Sequence, residues 1–300
     1  MAVSQTQATL ERLLFETGAI RVAPADKAFW YTSGTIGPYY SNTQNLIGGG
    51  AIADELLGLI DSWLSGDAAV LPAKIAEFVF GIYEKNECFR TVADLIKECA
   101  CENIDMARVD FVSGGARRDW FFSFIAAKLL GKPHISIFKD LSMAAGGPYA
   151  GPPPYPAAAP VRAGALAGAS CLHVSDIITE ASSYVRAWSP AIAASGARIA
   201  ASVTVLDRLQ GGGAALASIG IRHFALAALD AGFFDRAHRN GYIDERQRAR
   251  LLRYAADPNG AMREFLKENP RFFADALAGG GKDAERARMC AESGVYGDAM

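Results

Sequence analysis

The amino-acid sequence predicts an α/β fold, a parallel β-sheet flanked by helices. Three observations carry that prediction. Short, mostly apolar runs recur at Val109–Val112, His134–Phe138, Ser170–Val174, Arg198–Leu206 and Ile221–Leu226. Segments with helical apolar spacing alternate with them, at Trp120–Leu130 and from about Ala181 to Ala194. Breakers such as Gly131-Lys132-Pro133 and Gly211-Gly212-Gly213 separate the two kinds of segment. Strands alternating with helices are the pattern of a parallel sheet covered on both faces.

Taken in order, Ala2 to about Ile20 has the apolar spacing of a helix broken near Gly18. Phe29–Tyr40, rich in aromatics and punctuated by Gly and Pro, reads as strand, turn, strand. Ala51 to about Ala100 is helical again, with punctuation near Ser65-Gly66. The first core strand, Val109–Val112, is interrupted by Asp110 and ends in Ser113-Gly114-Gly115, read as a turn. Leu141–Ala169 holds six prolines among many Gly and Ala, with Arg162 its one charged residue. It is expected to be a long loop between the second and third core strands, either a lid or a linker. Beyond Ala231 the chain turns charged and helical, with pauses at Pro258-Asn259-Gly260 and Gly279-Gly280-Gly281 and its charges expected on a solvated face.

Composition narrows the function classes. Hydrophobic residues make up 51% of the 300 and charged residues 21%, enough to bury a sizeable core. Thirty basic against thirty-two acidic residues, a net charge of −2, argue against a nucleic-acid partner. No apolar run reaches the roughly 18–20 residues of a membrane span, so no membrane association is expected. Met1–Thr6 has no basic or apolar leader character, and a cytoplasmic location is the expectation. The five cysteines, Cys88, Cys99, Cys101, Cys171 and Cys290, form no CxxC pair and are expected as reduced thiols rather than zinc ligands. His134, His173 and His223 sit in strand-like runs and are expected to be partly buried.

Ligands of an open parallel sheet bind outside the carboxyl ends of its strands. Three such ends carry more than turn residues. Ser113–Trp120 combines two glycines, Arg117, Arg118 and a helix start, a set suited to phosphate or pyrophosphate. Its bland alternative is a solvated Arg-Arg pair with Asp119 as partner. Val174–Ser183 places Asp176 at a strand end and then a hydroxyl-rich turn, Thr179 to Ser183, that can cradle a phosphate or merely cap a helix. Leu206–Gly213 offers Arg208 as a carboxylate binder or as half of a structural Asp-Arg pair. Neither GxxxxGK[ST] nor a GxGxxG after a strand occurs.

These motifs, in this order, resemble those of the type I phosphoribosyltransferases, specifically the orotate phosphoribosyltransferase family. Thr32-Ser33-Gly34 with Gly37-Pro38-Tyr39-Tyr40 resembles the family's N-terminal K-S-G segment. Val174–Ser183 resembles its V-D-D-x-x-T-x-G-x-S motif, and Leu206–Gly212 its D-R-q-e-x-G segment. The resemblance runs from about Leu10 to Ala231. It implies a phosphoribosyltransferase-like domain over 1–230, with hood and base-pocket elements in 1–60, and a helical extension over 231–300. It further implies transfer of ribose 5-phosphate from phosphoribosyl pyrophosphate to orotate, with Mg²⁺, in a homodimer. Carried over by position, Thr179, Ala181, Ser182 and Ser183 hold the 5-phosphate and Asp176 the ribose hydroxyls, with the metal held through the ligand. Arg208 pairs with the orotate carboxylate, and Tyr39 and Tyr40 line the base pocket. Arg117, Arg118 and Lys139 are assigned to the pyrophosphate side by charge, with Asp176 and Lys139 as the catalytic candidates. The chain departs from the pattern at Ser175, which stands for the motif's first acid, and at Glu180-Ala181. It departs also at Thr32, and in the absence of lysine from Leu141–Ala169. Those departures keep two alternatives open: a protein of this fold that binds without turnover, or a transferase for another base.

Overall fold

The structure is a computed structural model that describes residues 5–64, 66, 67 and 69–297. The leader reading at Met1–Thr6 therefore lies mostly outside the described residues, as does Ser65. Elements follow in chain order. First come α1 (Gln5–Glu16), β1 (Ile20–Val22), β2 (Phe29–Trp30), β3 (Ile36–Gly37), β4 (Tyr39–Ser41), α2 (Gly50–Trp63), α3 (Leu71–Lys85) and α4 (Glu87–Asn103). Then come β5 (Phe111–Gly115), α5 (Asp119–Leu129), β6 (His134–Ile137), β7 (Met143–Gly146), β8 (Ala159–Pro160), β9 (Ser170–Ile178), α6 (Ser189–Ala194) and β10 (Arg198–Asp207). The chain continues with α7 (Gly212–Ser218), β11 (Arg222–Ala228), α8 (Ala231–Arg239), α9 (Glu245–Ala256), α10 (Pro258–Glu268), α11 (Arg271–Gly279) and α12 (Gly281–Ser293). None of the described helices is long and apolar enough to cross a membrane.

Contacts divide the chain into two units: residues up to Gly18 with Thr43–Ala228, and Ala19–Asn42 with the chain from Leu229 onward. The first unit carries a seven-stranded sheet in the order β11-β10-β9-β5-β6-β7-β8. All five core strands expected from the sequence are present, and they pair in parallel. β5 runs three residues further than expected: Ser113, Gly114 and Gly115 are buried strand rather than turn. Their glycines serve packing. A Cβ on Gly114 would collide with the Ser123 side chain, and one on Gly115 with the Trp188 indole.

The segment 141–169 also departs from the expected loop. It contributes β7, antiparallel to β6, and β8, antiparallel to β7, which extend the sheet edge. Between them Tyr149, 5% exposed, packs with Tyr155 and Phe80 at ring separations of 5.3–5.5 Å. Edge strands tolerate Pro because one side of their backbone needs no partner, which is why a Pro-rich run can still extend the sheet.

Helices bury both faces. α5 is almost wholly buried from Asp119 to Ala127, as a helix apolar all round must be. On the other side Tyr184, Ile192 and Leu216 join Phe111, Ile135 and Ile199 in a cluster. Tyr184 also anchors a hydroxyl chain, with Ser175 Oγ at 2.8 Å and Ser202 Oγ at 2.6 Å.

In the second unit, β1 pairs with β4 and β2 with β3, both antiparallel. The sequence grouped residues 1–60 with the α/β domain, whereas contacts group 19–42 with the C-terminal helices. Aromatic packing explains the grouping: Tyr39 lies against Phe234 and Tyr254, and Trp30 stacks on Phe272 at 5.6 Å. Arg250 corrects the expectation of a solvated charged tail. It is 6% exposed and donates to the carbonyls of Ala23, Ala25 and Lys27. Of the expected pauses, Pro258 is the first residue of α10, capped by Asp257, and Gly280 separates α11 from α12.

Candidate functional site

In sequence order the strands run from β5 outward to β6 on one side, and from β9 outward to β10 and β11 on the other. The order therefore reverses between β5 and β9, the position at which open α/β sheets form a crevice. The last paired residues of the two strands are Ser113 and His173. Beyond them the strands part, and a cavity of about 480 Å³ opens, lined by 116–119, Lys139, 176–184 and Trp188.

Eight of the sequence-nominated residues line that one cavity: Arg117, Arg118, Lys139, Asp176, Thr179, Ala181, Ser182 and Ser183. Arg117 and Arg118 arrive on the turn that ends β5, where the Ala116–Arg117 peptide is cis. Arg117 is ion-paired with Asp61 of α2, and Arg118 is exposed. Lys139, also exposed, comes from the turn after β6. Asp176 sits near the end of β9, 7% exposed, and accepts a hydrogen bond from Thr43 Oγ1 at 3.0 Å. Past Thr179 the chain turns through Ala181, whose φ of 58° is left-handed. A helical segment then begins at Ser182 and passes through a π-helical turn, Tyr184–Trp188, into α6. The first N–H groups of a helix have no partner within it, so the Thr179–Ser183 turn presents hydroxyls and free donors to the cavity together.

The other three nominated residues lie elsewhere. Arg208 follows β10 and its N–H bonds to Ile178 O at 3.0 Å, but it is not among the residues lining the cavity. Tyr39 and Tyr40 belong to the second unit. Tyr39 is 3% exposed in its core, and Tyr40 lies tilted against Phe29, with the Arg21 guanidinium 5.6 Å from its ring. No residue of 141–169 lines the cavity either.

Asp119 was missed as a site residue, because an acid in the first turn of a helix is ordinary there. The structure buries it to 4% exposure against Asp176. Its Oδ1 accepts the Asp176 N–H at 2.9 Å and its Oδ2 the Gly115 N–H at 3.2 Å. Burial, first of all, raises both carboxyls above their ordinary range. For Asp176 the neighbouring Asp119 adds to the rise, while Arg118 opposes it at both. Two buried carboxyls in contact favour holding one proton between them. Behind Asp119 lies His173, fully buried and held at about 3 by desolvation, hence neutral.

Among the described residues no group of three or more His, Cys, Asp or Glu side chains could hold a metal. Mg²⁺ is commonly held by one or two carboxylates together with a ligand's phosphates and water. Asp176, in one cavity wall with the hydroxyl-bearing Thr179–Ser183 turn, fits that mode.

No protein-family model matches the sequence, and no curated protein matches it. Solved structures do resemble it. UMP synthase from Leishmania donovani aligns with a TM-score of 0.56 at 14% identity, over 85% of this chain and 42% of that one. Orotate phosphoribosyltransferase from Francisella tularensis aligns with a TM-score of 0.52 at 14% identity, over 82% of this chain and 96% of that one. The chain thus spans less than half of the UMP synthase. It has a type I phosphoribosyltransferase-like fold, with a helical C-terminal region.

Proposed function

We propose that the chain is an orotate phosphoribosyltransferase-like pentosyltransferase. It moves ribose 5-phosphate from phosphoribosyl pyrophosphate to orotate, giving orotidine 5′-phosphate and pyrophosphate, in cytoplasmic pyrimidine nucleotide synthesis. The carrying observation is the cavity at the strand-order reversal. It gathers three cations, a hydroxyl-rich helix start and two buried acids, a set that matches the pyrophosphate, the 5-phosphate and the sugar hydroxyls of a phosphorylated sugar diphosphate.

On this reading Thr179, Ser182, Ser183 and the Ala181 backbone hold the 5-phosphate. Arg117, Arg118 and Lys139 face the pyrophosphate, where bidentate guanidinium contacts suit its paired oxygens. The C1–pyrophosphate bond breaks as the C1–N bond to the base forms, and positive charge develops on the sugar between the two events. Asp176 holds the ring hydroxyls and stabilises that charge, so the chain contributes positioning and electrostatics. Mg²⁺, held through the ligand beside Asp176, would neutralise pyrophosphate charge. Arg208, at the end of β10, is assigned to the base carboxylate, and the active form is taken to be a homodimer.

One observation favours a second reading, binding without turnover. The 141–169 segment carries no lysine, and its Tyr149 is packed down against Phe80 and Phe124. The test is to incubate the protein with phosphoribosyl pyrophosphate, Mg²⁺ and orotate while following orotate absorbance and pyrophosphate release. Stoichiometric loss of orotate with pyrophosphate is expected. Pyrophosphate release with a different base alone changes the substrate, and calorimetric binding without product replaces the transferase by the binding protein.

A further inference from the structure

The geometry points to Asp119 as the second carboxylate of this ligand site, acting with Asp176 on the adjacent hydroxyls of a sugar ring, with His173 as the residue that positions it. The inference rests on the sugar-phosphate reading of the cavity. It assigns a role to two side chains that the motif comparison left aside.

The motif's first acid is replaced by Ser175, and that side chain is committed elsewhere. It is fully buried, with its hydroxyl bonded to Tyr184 and Thr204 at 2.8 Å each. Asp119 brings a carboxyl to the cavity from the neighbouring strand end instead. Backbone N–H groups of Gly115 and Asp176 hold its two oxygens in place, so it bridges the point where β5 and β9 part. Carboxylate oxygens accept more than one hydrogen bond each, which leaves lone pairs for a ligand hydroxyl.

His173 supplies the independent observation. Its Nε2 is fully buried, has no hydrogen-bond partner, and points at Asp119 Oδ2 from 3.9 Å. The ring cannot swing away. Ser113 Oγ lies 2.9 Å from Nδ1, Trp188 stacks on one face at 4.6 Å, and Tyr184 meets it edge-on at 4.8 Å. A buried polar atom without a partner is costly. This one stands behind the Asp119 carboxyl, 3.9 Å from Oδ2, where it limits how far the carboxyl can retreat from the cavity.

The experiment compares ribose 5-phosphate with 2-deoxyribose 5-phosphate by calorimetry, using the full chain. The wild type is expected to bind the ribose form about tenfold tighter, since losing the 2-hydroxyl strands a buried acceptor. Asp119→Asn and His173→Gln are each expected to bring that ratio toward one, a change that a merely structural role would not produce. Thermal transitions establish that each variant is folded. If Asp119→Asn lacks a cooperative transition, His173→Gln, which leaves both carboxyls in place, decides. Equal wild-type affinities, or variants that keep the full ratio, overturn the inference while leaving the sugar-phosphate reading standing. Binding of neither sugar by the wild type overturns that reading, and this inference with it.

Discussion

The ends of β9 and β10 are built from similar parts: an acid as the strand finishes, a left-handed residue, then a helix. At β10 the parts satisfy one another. Asp207 Oδ1 accepts the Leu209 N–H at 2.7 Å, and the N–H groups of Arg208 and Gly212 bond to Ile178 and Thr179 carbonyls. At β9 Asp176 faces the cavity beside a second acid, and Thr179, Ser182 and Ser183 line its wall. The contrast shows that an acid and a turn at a strand end make a ligand site only where the backbone donors beyond them are left unspent. It also shows dependence, because the closed β10 turn braces the open β9 turn from behind.

The largest expected effect separates the two acids. Asp176→Asn should lower pyrophosphate release about 100-fold or more, as loss of an electrostatic contact to the reacting sugar does. Asp207→Ala should instead cost about 1–2 kcal/mol of stability through the lost turn bond, read from denaturant midpoints. Equal catalytic losses would erase the contrast.

A histidine remote from both turns supplies a pH reference. His134 is fully buried between Ser123 and Ser136, and desolvation holds it near 3, with His173 adding to the fall. Its folded value lies below the ordinary one, so the unfolded chain takes the proton first. Stability is therefore lost as pH falls from about 6.5 toward 3, by about 1.4 kcal/mol per pH unit for this group. The raised Asp119 and Asp176 act in the opposite sense above the ordinary carboxylate range, because the folded state there holds more protons. They are common to the wild type and His134→Gln, so the difference between the two denaturation curves isolates the histidine. A pH-independent difference would show that His134 already titrates in the fold.

The bracing contact is tested by neighbouring glycines. A Cβ on Gly212 would meet the Thr179 carbonyl oxygen and the Ile178 side chain at 2.7 Å, whereas one on Gly213 finds only His223 at 3.8 Å. Gly212→Ala should cost about 1–3 kcal/mol and weaken inorganic phosphate binding at the β9 turn. Gly213→Ala should stabilise α7 by about 0.5–1 kcal/mol. An equally small effect is expected at Ala181, whose left-handed backbone suits glycine. Ala181→Gly should raise stability by roughly 0.5–1 kcal/mol, measured by thermal denaturation.

The five parallel strands and the gathering of Arg117, Arg118, Lys139, Asp176 and the Thr179–Ser183 turn were legible in the residue pattern alone. Periodicity is a local property, and parallel strands bring their carboxyl ends to one edge whatever the loops do. The rest depends on contacts between segments distant in the chain. Asp119 looks like any first-turn acid until β9 closes over it, and Arg250 looks solvated until three carbonyls from 23–27 surround it. Gly114 and Gly115 read as a turn because the Ser123 and Trp188 side chains that require them lie in other elements. β7 and β8 are hidden in a Pro-rich run because an edge strand needs little propensity once a neighbour offers its backbone. In each case the deciding partner is remote in the chain, and burial and donor satisfaction are properties of pairs that sequence spacing does not encode.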